Sequence, residues 1–203
     1  DQEFQAPIQG INRRNFLKLL GGGIAVALTY SDLNALSKQP AFASAEGDES
    51  IAAWIHIREN GAVTVYTGKV EVGQNIRTSL AQAVAEELAV PVNSIEMIMG
   101  DTLLTPYDRG TYGSRTTPTM GPQLRKAAAS LKEALMDMAA KQWKVTKQAV
   151  DVKNGQVIHR ASGKTFSFGD LTKGKKILLP VNDQVQLTPA EKWTVAGTPV
   201  AKV

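Results

Sequence analysis

Two stretches of this chain carry residue types that bind anions, and each leads into an apolar, helix-periodic segment. The first is Gly68-Lys69-Val70-Glu71-Val72-Gly73-Gln74-Asn75-Ile76-Arg77-Thr78. The second is Gly110-Thr111-Tyr112-Gly113-Ser114-Arg115-Thr116-Thr117, continuing to Gly121. Free backbone N–H groups and the positive end of a helix dipole attract phosphate at such junctions. Glycine lets the backbone approach a ligand closely, Ser and Thr supply adaptable donors, and Arg77 or Arg115 adds charge. Each loop taken singly is equally an ordinary N-cap with a tight turn. Two of them in one small domain point toward a polyphosphate or dinucleotide-like ligand. Neither fits a Walker A loop or a Gly-x-Gly-x-x-Gly fingerprint.

Other chemistry is sparse. The 203 residues contain no cysteine, which excludes an iron–sulfur cluster, a thiolate zinc site, a disulfide framework and a cysteine nucleophile within this sequence. His56 and His159 are the only histidines; each sits in or beside a strand pattern and reads as a surface or edge residue rather than a ligand, and no metal-ligand set is evident. Glu86 and Glu87 are adjacent on one helix and so point to different faces. They read as solvated or salt-bridged rather than as a catalytic pair. Ser114 has no histidine nearby in sequence to serve as its base. Met97, Met99, Met120, Met136 and Met138 read as core or gap-filling residues. The net charge is +4; the first 43 residues hold four Lys/Arg against three Asp/Glu, so the remainder keeps +3. That mild excess suits an anionic small ligand or an acidic partner and is too diffuse for nucleic acid.

The elements that must position these loops are legible as patterns. Trp54–Ile57 and Val63–Tyr66 flank Asn60-Gly61, and Val150–Val152 and Gln156–Ile158 flank Asn154-Gly155: two hairpins. Ile76, Leu80, Val84 and Leu88 mark one face of a helix that Pro91 ends, and Ser94–Met99 reads as a strand. Pro118 and Pro122 open a second helix whose stripe is Leu124, Ala128, Leu131, Leu135 and Met138. Phe168–Leu171 starts a short helix, and the rest is polar and Pro-rich. The expected fold class is α+β, a small mixed sheet with hairpins and two main packed helices, forming part of a larger domain.

The first forty residues read as an export leader. Asn12-Arg13-Arg14-Asn15-Phe16-Leu17-Lys18 precedes an apolar run, Leu19–Leu28, interrupted by Gly21–Gly23. The run is too short to span a bilayer, which takes about 20 apolar residues. Pro40-Ala41-Phe42-Ala43 then offers an A-x-A-like cleavage site. The pattern resembles a twin-arginine signal, the route for proteins that fold, often around a cofactor, before export to the periplasm. The expected organisation is residues 1–43 as leader, 44–190 as the body, and 191–203 as a linker into a following domain.

The ordered series Thr67–Thr78, Gln82-x-x-Ala85-Glu86-Glu87-Leu88, Gly100-Asp101-Thr102, Thr111–Thr117 and Gly121 resembles the molybdopterin-binding subunit of the xanthine dehydrogenase and aldehyde oxidase family. Within it the chain is most similar to the branch named for the isoquinoline 1-oxidoreductase beta subunit. The likeness runs from about Trp54 to the closing Val195-Ala196-Gly197-Thr198-Pro199-Val200. It implies that Gly73-Gln74 lies against molybdopterin cytosine dinucleotide carrying molybdenum. It implies also that Thr111, Ser114 and Thr116 hold the cofactor's phosphates and nucleotide, with Gly113 and Arg115 shaping the loop. The sequence departs from the xanthine dehydrogenase pattern at Asn75, where that branch prefers glycine. The family's catalytic glutamate, in a Gly-x-Gly-Glu context far downstream, has no counterpart here, so no catalytic residue is assigned. The expectation is an N-terminal fragment or split subunit of a molybdenum hydroxylase, inactive alone. Its expected partners are the remainder of the large subunit, a [2Fe–2S] small subunit and a cytochrome c subunit. Two other readings remain open: a periplasmic module binding an anionic ligand at the two helix starts, and a non-catalytic assembly subunit.

Overall fold

The computed structural model describes residues 22–29, 51–105, 107–108 and 110–201. The arginine pair at Arg13-Arg14 and the cleavage site at Ala41–Ala43 lie outside them. Among these described residues, eight strands form two sheets. β1 (Gly23–Thr29), β2 (Ile51–Arg58), β3 (Val63–Thr67), β4 (Ile95–Met99) and β8 (Lys176–Pro180) make a mixed sheet in the order β4-β3-β2-β1-β8. β5 (Val150–Lys153), β6 (Gln156–His159) and β7 (Thr165–Ser167) make an antiparallel sheet. Helices α1 (Ile76–Leu88) and α2 (Thr116–Trp143) are the long ones, and α3 (Phe168–Thr172) is a single turn and a half. The α+β class with a small mixed sheet, hairpins and two main helices is what the structure shows.

Both Asn-Gly pairs turn hairpins, by different means. At Arg58–Ala62 a two-residue turn is followed by Gly61 at φ 84°, and Arg58 N donates to Ala62 O at 2.9 Å. At the second hairpin Asn154 (φ 50°) and Gly155 (φ 73°) are both left-handed, the conformation a twisted two-residue connection requires. β3 and β4 run parallel, with Val63 opposite Ile95 and Thr67 opposite Met99, so α1 is the crossover that joins them.

One face of the larger sheet carries the core. Ile24, Val26, Ile55, Ile57, Val63 and Val65 meet the α1 stripe of Ile76, Leu80, Val84 and Leu88 and the α2 residues Met120, Leu124, Leu131 and Leu135. Both predicted helical stripes are therefore the buried ones, with Met138 only partly covered. α2 begins at Thr116, two residues before Pro118, whose missing N–H costs nothing in a first turn. Pro122 falls inside the helix rather than at its start.

Three elements have no counterpart in the sequence reading. β7 follows too short a pattern to show periodicity. β8, in the stretch read as polar and Pro-rich, pairs parallel with β1. β1 itself lies within the apolar run of the expected leader, and Ile24, Ala25 and Val26 are buried in the sheet.

Glu86 and Glu87 are both buried: Glu87 is salt-bridged to Arg125, one of the two expected states, whereas Glu86 is held by backbone N–H groups instead of solvent. The reason is the tail, residues 188–198, which folds back over α1. Glu86 Oε2 accepts from the N–H groups of Thr194, Val195 and Ala196 at 2.9, 2.6 and 2.9 Å. Glu87 accepts from Arg125 Nε at 2.8 Å and from Thr188 N at 3.0 Å. Gln82 Nε2 donates to the carbonyls of Val195 and Thr198.

His56 departs from the expected surface or edge position, being buried in β2, the middle strand of the larger sheet. His159 Nδ1 lies 2.7 Å from Ser162 Oγ on the small sheet, its ring beside Trp143. His56, on the sheet face opposite the helices, sits 3.2 Å from the Gly22 carbonyl. Burial, and to a lesser degree the Arg58 cation, hold it below the ordinary imidazole range, opposed by the Gly22 contact. The folded form thus favours neutral imidazole, while the unfolded chain takes up a proton near pH 6.5. Stability is then complete above that pH and falls as the pH drops through 6.5 toward the lowered folded value. Urea midpoints at pH 7.5 and 5.5 are expected to show this loss, and His56→Gln to shrink it. An unchanged pH slope in the variant assigns the loss to other groups.

Candidate functional site

The two anion-suited loops meet. Val72, Gln74, Ile76 and Ser79 from the first junction, and Thr111, Tyr112, Ser114, Arg115, Thr116 and Thr117 from the second, line a cleft of about 370 Å³ between the N-terminal ends of α1 and α2. The ion pair Lys69–Asp108 fixes their spacing: Lys69 Nζ reaches Asp108 Oδ1 and the Gly110 carbonyl, each at 2.8 Å. Val70 N donates to Thr111 Oγ1 at 2.9 Å, a second tie across the same gap. Gly100 allows the first loop close, because a Cβ there would fall 2.5 Å from Val70 Cγ1. Sequence reasoning passed over Lys69 and Asp108, whose types are common in solvated loops and whose pairing spans 39 positions.

The two helix starts differ in electrostatic state. At α1 the Glu71 carboxylate folds over the helix end and accepts from the N–H groups of Arg77, Gly73 and Asn75 at 3.0, 2.7 and 3.1 Å. Those donors, Arg77 N–H foremost, hold Glu71 below the usual carboxylate range. The donors that would attract a phosphate at α1 are therefore already satisfied within the chain. Arg77 also turns away, its Nη1 donating to the Met97 carbonyl on β4.

At α2 no side chain caps the helix and no acidic residue lies in the first turn. Arg115 N reaches Tyr112 O only at 3.4 Å, Thr119 N donates back to Arg115 O at 3.0 Å, and Pro118 has no N–H. Thr116 and Thr117, at the positive end of a 28-residue helix, thus line the cleft together with Arg115. The turn leading in is left-handed at Gly113 (φ 61°) and Ser114 (φ 52°), which presents a non-glycine residue in a conformation that only a well-braced loop imposes.

The residues expected to hold the cofactor are placed as follows. Gln74, Thr111, Ser114, Arg115 and Thr116 line the cleft. Gly73 and Gly113 shape its edges; a Cβ on Gly73 (φ 100°) would meet open space, so its requirement is conformational. The Gln74 amide is folded onto its own loop, accepting from Val72 N at 2.7 Å and donating to Val70 O at 3.0 Å. Asn75, the departure from glycine, adopts φ 61°, a left-handed region asparagine tolerates better than most residues. Thr117, Ser79 and the exposed apolar pair Val72 and Tyr112 join the lining without having been singled out. Among the described residues no group of three His, Cys, Asp or Glu is arranged to hold a metal ion directly.

Comparison with known proteins gives this geometry a family. A model described as a molybdopterin cofactor-binding domain matches residues 2–202. The B component of nicotinate dehydrogenase from Pseudomonas putida is 33% identical over 156 residues, which is 77% of this chain and 13% of that protein. The beta chain of isoquinoline 1-oxidoreductase from Brevundimonas diminuta is 27% identical over 179 residues, covering 82% of this chain and 22% of that protein. Among solved structures, reconstituted CO dehydrogenase from Oligotropha carboxidovorans matches with a TM-score of 0.51 and 31% identity, over 58% of this chain and 15% of that one. The 203 residues thus span under a quarter of the length of these relatives. With its two loops converging on one cleft and a family model matching almost its whole length, the chain belongs to the molybdopterin cofactor-binding domain family of the molybdenum hydroxylases.

Proposed function

We propose that this chain forms one wall of the cofactor site of an exported molybdenum hydroxylase, and that the start of α2 holds the phosphate portion of molybdopterin cytosine dinucleotide. The observation that carries this is the contrast between the two helix ends. α1 is capped by the chain's own Glu71, whereas α2 has no side-chain cap and no acidic residue in its first turn, and Ser114, Thr116 and Thr117 at its start line the cleft. An anionic dinucleotide matches that donor set. Thr116, Thr117 and Ser114 would hold phosphate oxygens, Arg115 would supply countercharge, and the Gly73-Gln74 edge would lie against the pterin end.

When bound, the molybdenum group supplies the oxidation: a carbon beside nitrogen, or an aldehyde carbon, gains oxygen from water while two electrons leave toward a [2Fe–2S] partner and onward to a cytochrome. The share of this chain is binding and orientation. The remaining large-subunit polypeptide would bring the catalytic glutamate, and the exposed Val72 and Tyr112 in the cleft lining suit a surface covered by it. The paired arginines and the small-residue site at Ala43 support export of the folded protein by the twin-arginine route to the periplasm.

The test is cofactor content in the enzyme purified with its native partners. Ser114→Trp and Gln74→Trp are each expected to lower molybdenum and nucleotide content several-fold. Full molybdenum content in both variants sinks the assignment.

A further inference from the structure

The strand Gly23–Thr29 is fitted closely into the larger sheet. It pairs antiparallel with β2, Val26 opposite Ile55, and parallel with β8, Val26 opposite Leu179. Ile24 and Val26 enter the core beneath the helices, while Ala25 packs on the other face with Trp54. Gly23 sits at φ 128°, and a Cβ there would lie 2.2 Å from the Ile57 carbonyl oxygen. Gly23 N donates to Lys175 O at 2.6 Å, and Gly22 O contacts His56. Gly23, one of the glycines that interrupt the apolar run of the expected leader, thus lets the strand enter the sheet.

These same residues would leave with the leader. A chain beginning at Ser44 would have β2 and β8 facing each other across a missing strand, about 9.5 Å apart. Among the described residues β8 pairs with the sheet through β1 alone, so it would lose that pairing. The helix-side core would also open where Ile24 and Val26 had been. Unpaired backbone groups beside an open core are not a stable end state.

We infer that the β1 position is a strand-exchange site: the leader fills it in the precursor, and an extended segment of the polypeptide that completes the molybdenum enzyme replaces it. This rests on the leader and large-subunit readings proposed above. The site defines its occupant. The segment runs antiparallel to β2 and parallel to β8, with branched aliphatic residues toward α2 and small ones toward Trp54. Relatives of which this chain matches 13% and 22% contain ample further polypeptide to supply it. While seated in the sheet the apolar run is withheld from the export machinery, so completion of the enzyme and release of the leader become one event.

The experiment compares the unprocessed precursor with the mature enzyme purified with its native partners, reading the chain's N-terminus by mass and amide exchange at residues 176–179. Support is a mature chain starting after Ala43, with those amides still about a hundredfold slower than unprotected ones. Support further requires cross-links from Lys176 to polypeptide outside residues 1–203. Gly23→Ala is then expected to speed exchange in the precursor and leave the mature enzyme unchanged. Should that variant fail to fold, the wild-type comparison decides alone. A processed chain whose β8 amides are unprotected overturns exchange, as does a cleaved leader that co-purifies in place. A mature chain that retains Gly23–Thr29 overturns both exchange and the leader reading. Molybdenum analysis of the same preparation reads the cofactor proposal separately.

Discussion

Glu87→Ala is expected to destabilise the domain by about 3 kcal/mol, the range for removing one partner of a buried ion pair. Glu87 is fully buried, and its carboxylate accepts from Arg125 Nε at 2.8 Å and from Thr188 through N at 3.0 Å and Oγ1 at 2.9 Å. Without it, Arg125 stays under the tail with its charge uncompensated, stacked 4.9 Å over the Trp193 ring. Urea denaturation should show the midpoint falling with little change in slope, and thermal unfolding a drop of roughly 6–12 °C. The double substitution Glu87→Met with Arg125→Leu should recover most of the loss, because no orphaned charge remains. A single variant within 0.5 kcal/mol of the parent, a margin typical of surface substitutions, would show that the pair does not fasten the tail. Amide exchange at Thr194–Ala196, held by neighbouring Glu86, should quicken in the single variant, since both glutamates grip one segment.

This clasp also shows where sequence reading reaches and where it stops. The helix stripes, both Asn-Gly turns and the loop-to-helix junctions were legible because each is a local pattern of period or turn chemistry. The convergence of the two junctions was suggested only by their similarity. What fixes it, the Lys69–Asp108 pair, joins residues whose neighbours give no sign of the contact. Glu86 and Glu87 read as solvated or salt-bridged because adjacent helical residues diverge by about 100°. Only a tail returning from a hundred positions away buries both. β8 escaped notice for a similar reason: Lys176–Pro180 is a short mixed run, and its place depends on pairing with β1. The difference between the two helix starts was invisible in sequence, since both are glycine-bearing loops leading into a helix-periodic stretch. It arises from Glu71 folding back over α1 with no equivalent at α2.

That difference yields the sharpest separation between folding and binding. Thr117→Asp places a carboxylate in the first turn of α2, where Thr117 is exposed and no acidic residue stands. For the chain itself this is favourable: a negative charge at a helix N-terminus contributes about 0.3–1 kcal/mol. For an anionic cofactor the same charge is a competitor, because it offers to the α2 donors what Glu71 already gives those of α1. The two effects have opposite sign. The expected result is a urea midpoint equal to or above the parent's, with molybdenum and nucleotide content in the assembled enzyme reduced at least tenfold, about 1.4 kcal/mol of lost binding. Thr117→Asn, which keeps the size without the charge, should retain most of the cofactor. Raised salt during reconstitution should narrow the gap between the Asp and Asn variants, since exposed like-charge repulsion is screened. If Thr117→Asp holds the full complement of cofactor, the phosphates do not sit at the start of α2, and the anion-binding reading of this cleft fails even though the family assignment stands.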